Sequence, residues 1–286
     1  MLLRDRDGLT EAEFLAAYRA SDYPRPSVAC DMAVFAVARE EADSYRQLPE
    51  PELRLLLIQR GGHPCLGDWA LPGGFVRPGE TVSRTAAREL AEETGLSQVY
   101  LRQLGVFSEP GRDPRTWVMS CAHLALIDGS RVAVRGGDDA RQAAWFRVVC
   151  PPEEGGILRV TLEGGEVRLR AVVGCPGGGG TFGEPEEFRL LESEGLAFDH
   201  GRILAYALWR LRQEAERAGL PFHLMPELFT LTELQQVYEV ILGKRLAKAA
   251  FRKRIASWVA ETEQYSERAG HRPARLYQRR REEQTK

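Results

Sequence analysis

The sequence predicts an α+β protein in two units: residues 1–220, built on a mixed sheet between helices, and a smaller basic unit, 221–286. Three observations carry this. At 286 residues the chain exceeds one average domain. Strand patterns outnumber helix patterns in the larger unit, as in a sheet with helices packed on it. Charge divides unevenly: residues 221–286 hold 13 Lys and Arg against 8 Asp and Glu, while the first 220 hold 26 against 33. A cationic module beside an acidic one implies different partners, and a polyanion suits the cationic one.

Each element follows from a local pattern. Thr10 and Glu13 make a capping box for a short amphipathic helix with Phe14, Leu15, Ala17 and Tyr18 on one side, and Pro24 and Pro26 stop it. Residues 28–38 and 53–59 are too continuously apolar for half-exposed strands and read as central ones. After Trp69, Ala70 and Leu71, a turn at Pro72, Gly73 and Gly74 leads to a helix over 81–94 that Gly95 terminates. Further strands are expected over 99–107, 116–127 and 143–148.

From 157 to 173, apolar and polar residues alternate around Gly164 and Gly165, a β-hairpin signature. The glycine-rich run 174–183 reads as a connector, because no Gly-Lys-Ser/Thr follows to make it a phosphate loop. Asp199 can cap a long helix to about residue 218, with Ile203, Leu204, Ala207, Leu208 and Leu211 at helical spacing, before Gly219 and Pro221. Beyond it, 231–242 and 247–258 read as helices joined at Gly243, and 259–278 as strand, turn and strand.

Composition excludes several classes. With 43% hydrophobic and 28% charged residues, the chain lies outside the disordered class. Cys30, Cys65, Cys121, Cys150 and Cys175 are odd in number and scattered, so neither a disulfide framework nor a zinc cluster is expected. There is no secretory h-region and no apolar run near 18 residues, which implies a cytoplasmic protein without a membrane partner.

The densest chemistry lies between 74 and 96. Gly74, Glu80, Arg88, Glu89, Leu90, Glu92, Glu93, Gly95 and Leu96 satisfy G-x5-E-x7-R-E-U-x-E-E-x-G-U, with U aliphatic. Its seven residue-specific positions make a chance match on the order of 10⁻⁸ per start site. Glu89, Glu92 and Glu93 stand at i, i+3 and i+4, within an arc of about 100° on one helix face. Crowded like charges destabilise a helix unless cations neutralise them. Mg²⁺ or Mn²⁺ fits, since such ions share their coordination between carboxylates and substrate phosphates. The glycines let backbone carbonyls approach the metal, Arg88 can hold one carboxylate, and Glu80 can reach back as an orienting partner.

This box resembles that of the Nudix hydrolase superfamily. The resemblance implies an α/β/α sandwich that cleaves nucleoside diphosphates linked to another moiety. Glu89 and Glu93 would be the principal metal ligands, with Glu92 and the Gly73 carbonyl completing the site and Arg88 and Glu80 supporting it. Tyr23-Pro-Arg-Pro-Ser27, Trp69-Ala-Leu-Pro-Gly-Gly74 and Pro110-Gly-Arg-Asp-Pro-Arg115 look like the ADP-ribose pyrophosphatase branch. Arg112 and Arg115 could bind the substrate's phosphates, with surface ion pairing as the alternative. Asp138 and Asp139 are candidates for the catalytic base beside the substrate, and Glu153 and Glu154 compete.

Residues 222–280 resemble the winged helix of Nudix-related transcriptional regulators of NAD metabolism, through Phe229-Thr-Leu-Thr-Glu-Leu-Gln235, Tyr238-Glu-Val-Ile-Leu-Gly243, Phe251-Arg-Lys253 and Arg272-Pro-Ala-Arg-Leu-Tyr277. The insertion over about 151–193 is longer than that family's expected connection. Lys244, Arg245, Lys248, Arg252, Lys253 and Arg254 give six cations and no acid in eleven residues. A helix from 247 could enter a major groove while Arg272 and Arg275 on the wing touch phosphates, with Phe251 and Ile255 facing inward. A dimerisation or packing hairpin is the alternative. Two functions are implied: a Mg²⁺- or Mn²⁺-dependent hydrolase releasing AMP and ribose 5-phosphate from ADP-ribose, or an ADP-ribose-responsive, homodimeric regulator on double-stranded DNA.

Overall fold

The structure is a computed structural model that describes residues 3–39, 50–97, 99–129, 143–176, 183–217, 219–266 and 273–280. Its centre is β1 (Ser27–Ala38), buried along almost its whole length. This strand runs antiparallel to β2 (Glu52–Gln59) and β4 (Gly73–Phe75), and parallel to β6 (Val118–Ile127). Alternate side chains of β1 serve two cores, as a strand covered on both faces requires. Ala33, Phe35 and Val37 join one cluster, and Cys30, Met32 and Val34 the other.

The mixed sheet extends from this centre. With β3 (Trp69–Ala70), β5 (Tyr100–Phe107), β7 (Ala143–Val149), β8 (Ile157–Gly164), β9 (Val167–Gly174) and β10 (Arg189–Glu194), it runs β10-β9-β8-β7-β2-β1-β6-β5, with β3 on β2 and β4 on β1. Helix α1 (Glu11–Ala17) precedes the sheet, α2 (Val82–Thr94) packs on β1, β4 and β5, and α3 (His200–Arg217) packs on β9, β10, β1 and β5. This is the sandwich implied by the resemblance. Among the described residues no helix is long and apolar enough to cross a membrane.

Local devices match the sequence signals. Thr81 caps α2 by accepting from Arg84 N–H, and Gly95 ends it at φ 69°, a left-handed conformation that glycine adopts without strain. The expected β8–β9 hairpin forms with its two-residue turn at Gly165 and Glu166, one residue later than the Gly164 and Gly165 of the sequence pattern, because Gly164 pairs with Val167. The hairpin of the 151–193 segment thus adds strands to the central sheet.

Three features differ from the sequence expectation. The polar strand β10 carries no alternation because it lies at the sheet edge, where exposed charge discourages further pairing. Gly73, Gly74 and Phe75 pair with β1 as a short strand rather than forming only a turn. On α1, Phe14, Leu15 and Tyr18 are exposed although the capping box forms, because no other element covers that face among the described residues.

The second unit follows α3 directly. Helix α4 (Leu231–Leu242) has a Thr230–Glu233 capping box, α5 (Lys248–Ile255) follows, and β11 (Val259–Tyr265) pairs with β12 (Arg275–Arg279) as a two-stranded wing. Phe251 and Ile255 are buried, as their spacing predicts. The two units share one apolar cluster, in which Leu211 and Ala215 of α3 join Phe222, Val237, Tyr238 and Ile241. Arg212 fastens the joint: its Nε donates to Ile241 O at 3.0 Å, and its Nη groups donate to Pro151 O at 3.2 Å and to Cys150 O. Arg39 adds a hydrogen bond to Gln236.

Leu208 is 1% exposed within this shared core. Leu208→Ala is expected to cost about 2–5 kcal/mol. Far-ultraviolet circular dichroism and tryptophan fluorescence should report one coincident unfolding transition, whereas two separated transitions would contradict a shared core.

Candidate functional site

Helix α2 presents its carboxylates toward the glycine strand β4. Arg88 organises them. Its Nε and Nη2 grip the Glu80 oxygens at 2.8 and 2.9 Å, and its Nη1 donates to Glu89 at 2.6 Å and Glu92 at 3.2 Å. The buried Thr85 hydroxyl donates to Glu80 at 2.8 Å. The Arg88 hydrogen bonds hold the Glu80 carboxyl down at about 2. Arg88 and Glu80 therefore form a two-bonded ion pair beside Glu89 and Glu92.

Glu93 does not bond to Arg88 and instead accepts Gly73 N–H at 2.9 Å. Burial pushes its carboxyl up to about 7 despite that hydrogen bond, and the charges of Glu89, Asp31 and Glu92 add to the rise. The backbone at Gly74 runs against Glu89, where a Cβ would stand 2.3 Å from Oε1. At Gly73 a Cβ would stand 2.2 Å from Cys30 O and 2.9 Å from Asp31 Oδ1. Backbone atoms bar any other residue at Gly73, whereas a side chain at Gly74 would displace the Glu89 carboxylate.

These residues suit a hard divalent cation. Glu89, Glu92 and Glu93 sit in the last turns of α2, where the helix dipole opposes negative charge and adds to their mutual repulsion. Among the described residues, no three acidic, histidine or cysteine side chains close around one point in this arrangement. Arg88 and Gly73 N–H engage the carboxylates instead, and only one Glu93 oxygen takes the Gly73 hydrogen bond.

A second polar group, which the sequence reading missed, lies beneath the glycines. Asp31, in the middle of β1, accepts from the Ser120 hydroxyl at 2.5 Å and from Arg112 at 3.5 Å. Arg112 also grips Asp199 through Nε at 3.1 Å and Nη2 at 2.7 Å. His200 Nδ1 accepts Leu71 N–H at 2.9 Å, which leaves the proton of the neutral ring on Nε2, 3.6 Å from Asp31 Oδ1. Burial depresses the His200 pKa. The signal for Asp31 was a lone charge inside an apolar strand.

The predicted phosphate-binding arginines thus have carboxylate partners already. Arg112 is buried between Asp199 and Asp31, and Arg115 is paired with Asp113 at 3.0 and 2.7 Å. Glu153 accepts Gly156 N–H at 2.5 Å in the loop before β8. Asp138 and Asp139 lie outside the described residues.

On the second unit, Lys248, Arg252 and Lys253 are exposed on α5 and have no carboxylate partner among the described residues. Arg254 does not join this face. Its guanidinium lies 5.1 Å from the Tyr238 ring centroid and 5.7 Å from that of Phe251, attracted to their π faces, with Nε and Nη2 buried and unpaired. Arg275 is bonded to Glu261 and to Tyr265, Lys244 pairs with Glu216, and Arg245 with Glu239. Arg272 lies outside the described residues.

Residues 33–162 match the NUDIX domain family, and residues 221–278 match the NrtR DNA-binding winged helix domain. The chain is 36% identical over 271 residues to the ADPR responsive transcriptional repressor NtrR of Acinetobacter baylyi, covering 94% of this chain and 88% of the relative. The chain belongs to the Nudix superfamily, in the branch fused to an NrtR-type winged helix. Its fold superposes on a MutT/nudix family protein from Enterococcus faecalis with a TM-score of 0.72 at 32% identity, covering 96% of this chain and 94% of the other. It also superposes on Shewanella oneidensis NrtR complexed with a 27mer DNA, with a TM-score of 0.60 at 27% identity, covering 88% and 93%. In this Nudix and NrtR-type setting, the α2 carboxylates and the exposed face of α5 fall in the two matched regions.

Glu93 gives the fold a defined pH dependence. Its folded-state pKa of about 7 lies above the ordinary 4.5, so the folded chain binds this proton more tightly than the unfolded chain does. The stabilisation is complete below about 4.5 and lost as pH rises through about 7. In buffer free of divalent cations, Glu93→Gln should flatten the decline in stability between pH 5 and 7.5, as read by urea denaturation. An unchanged slope would rule out Glu93 as its source.

Proposed function

We propose that the protein is an ADP-ribose-responsive transcriptional regulator whose Nudix site receives the ligand and whose winged helix binds double-stranded DNA. The observation that carries this reading is the basic face of α5, with Lys248, Arg252 and Lys253 exposed, on a unit fastened to the Nudix sheet through Arg212 and α3. Such a face offers phosphate contacts while Phe251 and Ile255 anchor the helix from within. The A. baylyi relative is an ADPR responsive transcriptional repressor and the S. oneidensis NrtR structure holds a 27mer DNA, which support the same pairing of ligand and DNA. The working division is 1–220 for the ligand and 221–286 for DNA. A cytoplasmic homodimer completes the reading, and the uncovered Phe14, Leu15 and Tyr18 offer an apolar face for a second copy.

Hydrolysis is the second reading, favoured by the intact box. Glu89, Glu92, Glu93 and the Gly73 carbonyl would hold Mg²⁺ or Mn²⁺. When bound, the cation offsets diphosphate charge and lowers the pKa of a water that can attack phosphorus. The chain's own residues prepare the site. Arg88 holds Glu80, Glu89 and Glu92 together, and His200 fixes the Leu71 backbone ahead of the glycines.

The two activities should separate by mutation. Glu93→Gln is expected to lower metal-dependent ADP-ribose hydrolysis at least a hundredfold while leaving duplex affinity unchanged. Arg252→Ala with Lys253→Ala should weaken binding to promoter DNA of NAD or sugar genes about tenfold or more, flatten its salt dependence, and spare ligand binding. Loss of both activities in either variant would mean misfolding. A duplex affinity that ADP-ribose does not change would refute the regulator reading.

A further inference from the structure

The sequence pointed to Arg112 and Arg115 as phosphate ligands, yet both are neutralised within the protein. Arg88 is bound to three glutamates, Arg77 pairs with Glu92, and Arg202 with Glu109. One guanidinium of this region is different. Arg60, just past the end of β2, is half-buried and has no carboxylate partner among the described residues.

Its position is built rather than loose. Arg60 N–H donates to Asp68 O and Arg60 O accepts Gly67 N–H, both at 2.9 Å, which closes the 60–68 loop on this residue. Its Nε donates to Pro64 O at 2.8 Å, and its Cζ lies 4.7 Å from the Phe198 ring centroid. Phe198 also faces Arg115 at 5.9 Å, and Arg115 in turn lies over Phe75 at 5.5 Å. The line Arg60, Phe198, Arg115, Phe75 therefore runs from the β2 exit to the strand that carries Gly73 and Gly74.

Phe198 reaches this place at a conformational cost. Its φ is 51°, in the left-handed region that a bulky side chain avoids, at a typical penalty large enough to need compensation. Neighbouring bonds hold it there: Ala197 N–H donates to Trp69 O at 2.8 Å, and His200 accepts Leu71 N–H. The Arg60 charge also contributes, after burial and Arg112, to the depressed pKa of His200.

We propose that Arg60 is an anion-binding residue of the Nudix site, held over the Phe198 ring so that its Nη groups receive the diphosphate of a nucleoside diphosphate ligand. This rests on the ligand class proposed above. A half-buried guanidinium without an acid is stable where an anion completes it, and its planar fork matches two phosphate oxygens. Phe198 acts as a positioning residue, since its ring orients Arg60.

Isothermal titration of ADP-ribose into the full chain, with Arg60→Gln, Arg60→Lys and Phe198→Leu variants, tests the assignment. Arg60→Gln should bind about tenfold to a hundredfold more weakly, the size of lost charge-assisted hydrogen bonds, and its affinity should depend less on salt than that of the wild type. Arg60→Lys should recover part of the loss, and Phe198→Leu should show a smaller loss with the salt dependence retained. Arg60→Gln binding as well as the wild type, or more weakly with an unchanged salt slope, overturns the inference alone. Absence of ADP-ribose binding by the wild type overturns the ligand reading and the inference together.

Discussion

Helix α3 belongs to both halves of the molecule, and hydrogen bonds hold it at its start and again toward its far end. At the first turn, Asp199 grips Arg112 while His200 accepts Leu71 N–H, so the helix start is tied to the backbone that leads into the glycine strand. Two-thirds of the way along, Arg212 donates to carbonyls at the exit of β7 and at the last turn of α4. Between them, Ile203, Leu204, Leu208 and Leu211 fill the larger core. A helix fixed by hydrogen bonds at both places and by burial between them behaves as one packed body. The winged helix is therefore not an appendage on a linker.

The other face of the sheet combines a smaller apolar core with a dense set of charges. Helix α2 buries only Thr85, Ala86 and Leu90, and spends its other positions on carboxylates and on the arginine that organises them. A carboxylate helix of this kind would favour a protonated or metal-bound form, and Glu93 expresses that tension as a pKa pushed up to about 7. Gly73 and Gly74 are the backbone counterpart, because any side chain there would occupy the space of Asp31 or Glu89. The box spacing, the two glycines and the perturbed acid are three consequences of one requirement for close oxygen approach.

Much of this was legible beforehand. The strands around β1 announced themselves as continuous apolar runs, α2 through Thr81 and Gly95, and α5 through buried Phe251 and Ile255 between cations. What escaped depended on pairing across the chain. Asp31 meets Arg112 and His200 over separations of 81 and 169 residues, and no local pattern encodes such a meeting. The same limit explains the arginines. Sequence assigns each a positive charge but not a partner, so Arg112 and Arg254 read as open cations although one is paired with acids and the other is folded onto aromatic rings. Strand β10 escaped because edge strands are polar, and polarity is also the mark of a loop.

These constraints bear on how a ligand in the Nudix site would speak to DNA in the proposed reading. A ligand shifts an equilibrium only by the difference in its affinity for two states, so the groups it touches must themselves change between those states. The start of α3 supplies such groups: a strained Phe198, an Asp199 shared with Arg112, and a His200 that holds the loop before the glycines. Displacing any of them displaces a helix whose far contacts define the seat of α4, and a close-packed core converts small shifts into discrete rearrangements. The coupling must then run in both directions by equal factors. In that reading, a duplex that prefers one seat of α4 would alter the affinity of the site at Gly73, Glu89 and Glu93 through the start of α3, where Asp199 and His200 hold their partners.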